Sequence, residues 1–244
     1  MKLWWFVVAV IFSGSSLAQD YEREKRWAAE VVPNLVVGDA VQLKPPGGRE
    51  FLGIYVENKA AKQAILLVHG IGVHPDHGVI GILRASLADL GYATLSIQMP
   101  VERSEAATDE YFPALFPEAA ERIQAGADWL AQKGYARPVL LSHSMGSWMS
   151  NVYFERTSNA PFSAWICLGR SGVFSRLNSA MPPVLDVYGE KDLASVLRGD
   201  WRRKLTLEGI PGSRQLMIPA ADHFYTGREK ELAAAVRDFI ARIK

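Results

Sequence analysis

The feature that most limits how this chain can fold is a regular alternation, from residue 64 onward, of unbroken apolar runs with segments of helical period. The runs are AILLVHG (64–70), YATLSIQMP (92–100), PVLLSH (138–143), SAWICLG (163–169), PVLDVYG (183–189) and RQLMIPA (214–220). A strand that is apolar at nearly every position is buried on both faces, which happens where helices cover a parallel sheet from either side. The intervening segments carry matching stripes: Leu83, Leu87 and Leu90 before Gly91, then Ala120, Ile123, Ala127 and Leu130 before Gly134; residues 145–156 are expected to form a further helix. Leu232, Val236, Phe239, Ile240 and Ile243 form the last stripe, with Thr226 and Glu229 in capping-box positions. Ahead of this, a polar helix over 21–30 precedes two strands, 35–43 and 51–57, which the turn Pro45-Pro46-Gly47-Gly48 makes antiparallel. The expected architecture is α/β: a three-layer sandwich with a mostly parallel twisted sheet and N-terminal antiparallel strands.

No repeat, low-complexity tract or linker divides the sequence after residue 18, so residues 19–244 read as a single domain. The beginning is different. Lys2, the ten-residue run LWWFVVAVIF and the small-residue end Ser16-Leu17-Ala18 have the layout of a signal peptide cleaved before Gln19. That run is well short of the roughly 20 residues needed to span a bilayer. The protein is therefore expected to be exported, periplasmic or secreted, with no stable membrane insertion after cleavage. The single cysteine, Cys167, lies in an apolar run and reads as a buried structural thiol. With 27 basic and 26 acidic residues there is no charge surplus to attract nucleic acid, and nothing in the composition fixes an oligomeric state.

In sheets of this kind ligands bind beyond the carboxyl ends of the strands, so the residues just after each run are the ones to weigh. They are His69-Gly70-Ile71-Gly72, Ser142-His143-Ser144-Met145-Gly146, Glu190-Lys191-Asp192 and Asp222-His223. A serine on a sharp strand-to-helix turn needs small residues two before and two after it, because the two backbone arms pass close together there. Ser144 meets that demand with Ser142 and Gly146, although serine stands where glycine is usual. Ser142 would put Leu140 in the tight position, and Ser147 and Ser150 lie inside the following helix. The helix starting at Met145 would aim free N–H groups at the reacting centre, which suits an oxyanion. A serine hydroxyl needs a base to take its proton. His223, on a loop after the last strand, has the reach; His143 and His69 are expected beside the site. A carboxylate should orient that imidazole. Asp192 is the first choice and Glu190 the substitute, with Asp186 structural and Asp222 shaping the histidine loop.

These landmarks, His69-Gly70, the S-H-S-M-G run at 142–146, G-E-K-D at 189–192 and A-D-H-F at 221–224, resemble the α/β-hydrolase superfamily over about residue 50 to the end. Within it the chain looks like compact exported bacterial proteins of a domain family without settled function. The resemblance implies a serine hydrolase acting on a carboxylic ester or thioester without a cofactor. Ser144 would form an acyl-enzyme, His223 would serve as base and then acid, Asp192 would orient it, and the N–H groups of Met145 and Ile71 would hold the oxyanion. The implied partner is a small-molecule acyl substrate.

The same residues admit other readings. Gly70-Ile71-Gly72 lacks the third glycine of a dinucleotide loop, with Pro75 at that offset. His69, His74, Asp76 and His77 are closely spaced, as in a metal site, but a loop at the pocket mouth is the simpler expectation. A binding or scaffolding protein that keeps the fold without turnover, or an amidase or peptidase using the same triad, is the alternative function. The stretch after residue 169 is too short for a large cap. Tyr111, Phe112 and Phe116 are the aromatic candidates for substrate contact, alongside His69 and His143; Trp148 reads as core, and Arg170 as a surface ion pair or a greeter of a substrate carboxylate.

Overall fold

The computed structural model describes residues 19–102, 113–177 and 179–243. The proposed leader, and Tyr111 and Phe112, lie outside them. The elements run α1 (Tyr21–Val31), β1 (Asp39–Leu43), β2 (Phe51–Val56), β3 (Ala64–Val68), α2 (Gly78–Asp89), β4 (Ala93–Ile97), α3 (Phe116–Gln132), β5 (Val139–His143) and α4 (Met145–Arg156). Then follow β6 (Ala164–Leu168), β7 (Val184–Gly189), α5 (Ala194–Leu197), α6 (Asp200–Glu208), β8 (Arg214–Ile218) and α7 (Glu229–Ile240).

Among the described residues the strands form one eight-stranded sheet in the order β1-β2-β4-β3-β5-β6-β7-β8. β1 and β2 are antiparallel, as is the β2–β4 pairing, and every other neighbour is parallel. Alternate strand residues supply two separate cores. Leu66, Leu140 and Trp165 face α3 and α4, whereas Ile65, Leu67, Leu141 and Ile166 face α2 and α7. The chain leaves β3 for β4 on one side and returns to β5 on the other, so a crevice opens beyond the ends of β3 and β5 where the connections diverge.

Three local expectations differ from the structure. Leu90 is 40% exposed, because α2 ends at Asp89 and the chain turns away there; Val79 and Ile80 complete the buried face instead. No capping box forms on α7: its cap is Arg228, Glu229 accepts from the amide of Gly227, and the Thr226 amide donates to Asp222. Helix α6 escapes sequence periodicity altogether. Its buried face consists of Arg203 and Leu207, so a charged residue sits where an apolar one would have marked the stripe.

Arg203 holds this part of the fold together. Its Nε donates to Asp186 Oδ2 at 2.8 Å, with both side chains at 0% exposure. Burial pushes the Asp186 carboxyl up, and the neighbouring guanidinium opposes that shift. Gln215 donates to the same carboxylate at 2.9 Å and to the Asp200 carbonyl at 2.8 Å, while Arg203 Nη1 donates to the carbonyls of Gly172 and Val196, both at 3.0 Å. One buried cation thus ties β7, α6 and the loops after β6 and β7.

Removing one member of a buried ion pair leaves an uncompensated charge, which costs about 3–5 kcal/mol. Arg203→Ala is expected to lower unfolding free energy by that amount in urea titration, and the double change Arg203→Met with Asp186→Leu to recover much of it. A single variant within about 0.5 kcal/mol of wild type would contradict this role.

Candidate active site

Ser144 occupies the turn between β5 and α4 with φ 54° and ψ −122°. A side chain in that region costs on the order of 1–3 kcal/mol, so the surroundings must impose it. They do so from three sides. The Ser144 amide donates to the Leu168 carbonyl on β6 at 2.9 Å, and the Ser147 amide donates to the Ser144 carbonyl at 2.9 Å. The helix start is pressed against the end of β3: a Cβ on Gly146 would stand 2.4 Å from the His69 carbonyl oxygen, which only glycine permits. Ser142, the departure from the usual glycine, fits because its hydroxyl turns into the core. There it accepts from Trp165 Nε1 at 2.8 Å and lies 3.2 Å from the Ser147 hydroxyl. The turn keeps its shape with serine at that position.

The Ser144 hydroxyl lies 3.0 Å from His223 Nε2, and His223 Nδ1 lies 2.6 Å from Asp192 Oδ1. With the proton on Nδ1 donated to the carboxylate, Nε2 is free to accept from the serine. Asp192 is itself fixed, since its oxygens accept from the amides of Leu193 at 2.7 Å and Gly189 at 3.2 Å. Glu190, the other carboxylate considered, is exposed and accepts from the Ala220 amide, outside this chain of bonds. The histidine loop is pinned to β7: a Cβ on Gly189 would stand 2.3 Å from the Ala221 carbonyl, and the buried Tyr225 hydroxyl donates to the Val187 carbonyl at 2.9 Å. Asp222 shapes the same loop by accepting from the Phe224 and Thr226 amides.

His69 and His143 border the cleft, and each hydrogen-bonds the backbone that frames it. His69 donates from Nδ1 to the Gly70 carbonyl at 2.8 Å and accepts at Nε2 from the Met99 amide at 2.9 Å. Burial drives its imidazole down to about 3, so it stays neutral. His143 donates from Nε2 to the His223 carbonyl at 2.9 Å, and its ring lies 4.9 Å from the His223 ring. Burial lowers it to about 4. Ile71 and Met145 line the same cleft as Ser144. As the first residue of α4, Met145 has an amide with no intrahelical acceptor.

The cleft has a volume of about 720 Å³. Trp148, expected in the core, lines it and donates from its indole N–H to the Ser171 hydroxyl at 3.1 Å. Arg170, expected at the surface, is fully buried; it donates to the carbonyls of Ser147 and Val173 and stacks 4.1 Å from the Trp148 ring. An arginine next to a glycine at a strand end gives no sequence hint that its guanidinium turns inward to brace α4. Phe116 is buried in the core between the sheet and α3, not in the cleft. His77 lines the cleft, whereas His74 packs edge-on against Trp27 and Asp76 pairs with the buried Arg84. Cys167 is buried, and burial pushes its thiol up to about 12, so it remains protonated.

The N-terminal helix braces the β3 loop from outside. Arg23 donates to the Glu102 carbonyl at 2.9 Å and to the Gly72 carbonyl at 3.4 Å. Buried Arg122 on α3 bonds both oxygens of Glu24 and also Glu118. Burial raises Glu24 to about 7, with Arg122 opposing.

The family described as "Protein of unknown function (DUF3530)" matches residues 19–118. That span carries α1 and the β3 loop but stops before Ser144, Asp192 and His223. No curated protein matches the chain. Among solved structures it is similar to a dienelactone hydrolase from Anabaena variabilis, at 20% identity over 84% of this chain and 97% of that one, with a TM-score of 0.67. An alpha-beta serine hydrolase homologue from Coxiella burnetii is 18% identical over 84% and 98%, with a TM-score of 0.64. A serine hydrolase without lid from Xanthomonas campestris is 18% identical over 85% and 95%, with a TM-score of 0.60. The chain has the α/β-hydrolase fold, and it carries no large cap over the cleft among the described residues.

The buried imidazoles predict an acid-side weakness. In the unfolded chain His143 takes up a proton below about pH 6.5, whereas the folded protein resists until about 4, so this site's contribution is present above 6.5 and lost as pH falls. That loss is on the order of 2 kcal/mol between pH 8 and pH 5. Glu24 acts in the opposite sense, favouring the fold at low pH and losing its contribution as pH rises toward 7, equally in wild type and variant. His143→Gln is therefore expected to lose less stability than wild type over this range in urea titrations; parallel curves would contradict the assignment.

Proposed function

We propose that the protein is a serine hydrolase that cleaves a carboxylic ester or thioester through an acyl-enzyme on Ser144. The observation that carries this reading is the continuous set of contacts from Asp192 through His223 to a Ser144 whose backbone is held at positive φ. Attack by the Ser144 oxygen on the acyl carbon transfers its proton to His223 Nε2, leaving imidazolium paired with the Asp192 carboxylate. The carbonyl oxygen gains negative charge and turns toward the amides of Met145 and Ile71, each such donor contributing on the order of 10²–10³ in rate. His223 then gives its proton to the departing alcohol or thiol. Water repeats the sequence against the acyl-serine, with His223 again as base, and releases the acid.

The neighbours' printed descriptions as hydrolases support this class, and a cleft of about 720 Å³ with no large cap among the described residues suits a small acyl substrate that enters from solvent. The leader-like first 18 residues support action outside the cytoplasm.

Kinetics on short 4-nitrophenyl esters test the assignment. Ser144→Ala is expected to lose roughly 10³-fold or more in kcat/KM, and Asp192→Asn a comparable amount with KM little changed, since the tautomer and not binding is disturbed. Glu190→Gln is expected to stay within about threefold. Loss in Glu190→Gln alone would reassign the acid, and a folded wild type without turnover would favour the binding-protein reading.

A further inference from the structure

Charge is distributed unevenly around the cleft. Among the described residues that line it, Arg198 is the one lysine or arginine, and no aspartate or glutamate lines it. Ile71, Val73, Val79 and Ile80 make one wall apolar, while Ser171, Ser195 and Arg198 lie on the side formed by the loops after β6 and β7. The guanidinium is exposed, and no described acidic residue forms an ion pair with it. Its two arginine neighbours are different in kind: both are buried, Arg170 donating to backbone carbonyls and Arg203 to the Asp186 carboxylate and backbone carbonyls. Arg198 is also held in place from below. Its amide donates to the Ala194 carbonyl at 3.0 Å, the next residue, Gly199, is packed against the Gly172 carbonyl, and Arg203 bonds Val196 and Gly172 beneath it. A held backbone carrying a permanently charged fork at the edge of a cleft lined by no carboxylate offers the chemistry that pairs with a carboxylate.

We infer that Arg198 selects the substrate: the ester this site takes carries a carboxylate on one of its arms, as a half-ester of a dicarboxylic acid does. The inference rests on the hydrolase reading above. The bond from guanidinium to carboxylate is remote from the scissile carbonyl and leaves the chemistry at Ser144 unchanged. Because the group is exposed, the preference falls as salt screens it. Because arginine keeps its charge, the preference persists at pH 8.

The test compares 4-nitrophenyl hydrogen adipate with its neutral methyl ester. Wild type is expected to favour the anionic ester about tenfold or more in kcat/KM at pH 8 and low salt, less at 0.5 M salt. Arg198→Gln should bring the ratio close to one, and Arg198→Lys should keep most of it. Equal rates in wild type, or a ratio that survives in Arg198→Gln, would overturn the inference while leaving the hydrolase reading intact. If wild type turns over neither ester, the hydrolase reading fails. The subsite is then decided by titrating the Ser144→Ala protein with monomethyl and dimethyl adipate by NMR. Tighter binding of the monoanion that is lost in the Ser144→Ala, Arg198→Gln double variant supports it, and equal binding overturns it.

Discussion

The site depends on the backbone of one residue being forced where a side chain does not belong. Ser144 at φ 54° is unfavourable in isolation, and it persists because β3, β5, β6 and α4 meet there with no slack: Gly146 lies against the His69 carbonyl, and the Ser144 amide is bonded to Leu168. The strain has two outcomes of value to chemistry. It brings the serine hydroxyl to His223, and it starts α4 at the next residue, Met145.

Around this turn the protein invests buried polar groups as braces. Arg203, Arg170 and Arg122 are all fully buried, and each bonds to backbone carbonyls of segments that border or support the cleft. His69 and His143 do the same on a smaller scale, one holding the β3 loop and the other the carbonyl of the base itself. Loops cannot bury apolar stripes as helices do, so their positions are fixed by directional bonds, and a long guanidinium reaches several carbonyls at once.

This division explains what could be read in the sequence. The strands, the sheet's parallel character and the helices α2, α3 and α7 follow from apolar periodicity, and Ser144, His223 and Asp192 stand out because chemistry restricts where such residues can be placed. Ser142 illustrates a boundary: steric reasoning admits it, but its bonds to Trp165 and Ser147 depend on the neighbouring strand β6 and on the first turn of α4. Helix α6 and the inward turn of Arg170 were not legible, since in both a charged residue fills a buried position and periodicity counts it as surface. Arg198 shows the reverse problem. Nothing in the sequence separates it from Arg202 or Arg203, and only the fold places it at the cleft.

The central claim is that Ser144, and no other serine, is the activated nucleophile. Treating the folded protein with a fluorophosphonate, followed by intact mass and peptide mapping, measures this without knowledge of the substrate. The account predicts one adduct per chain, located at Ser144 and strongly slowed in His223→Ala. No adduct, or one at Ser142, Ser147 or elsewhere with Ser144 unmodified, would contradict it.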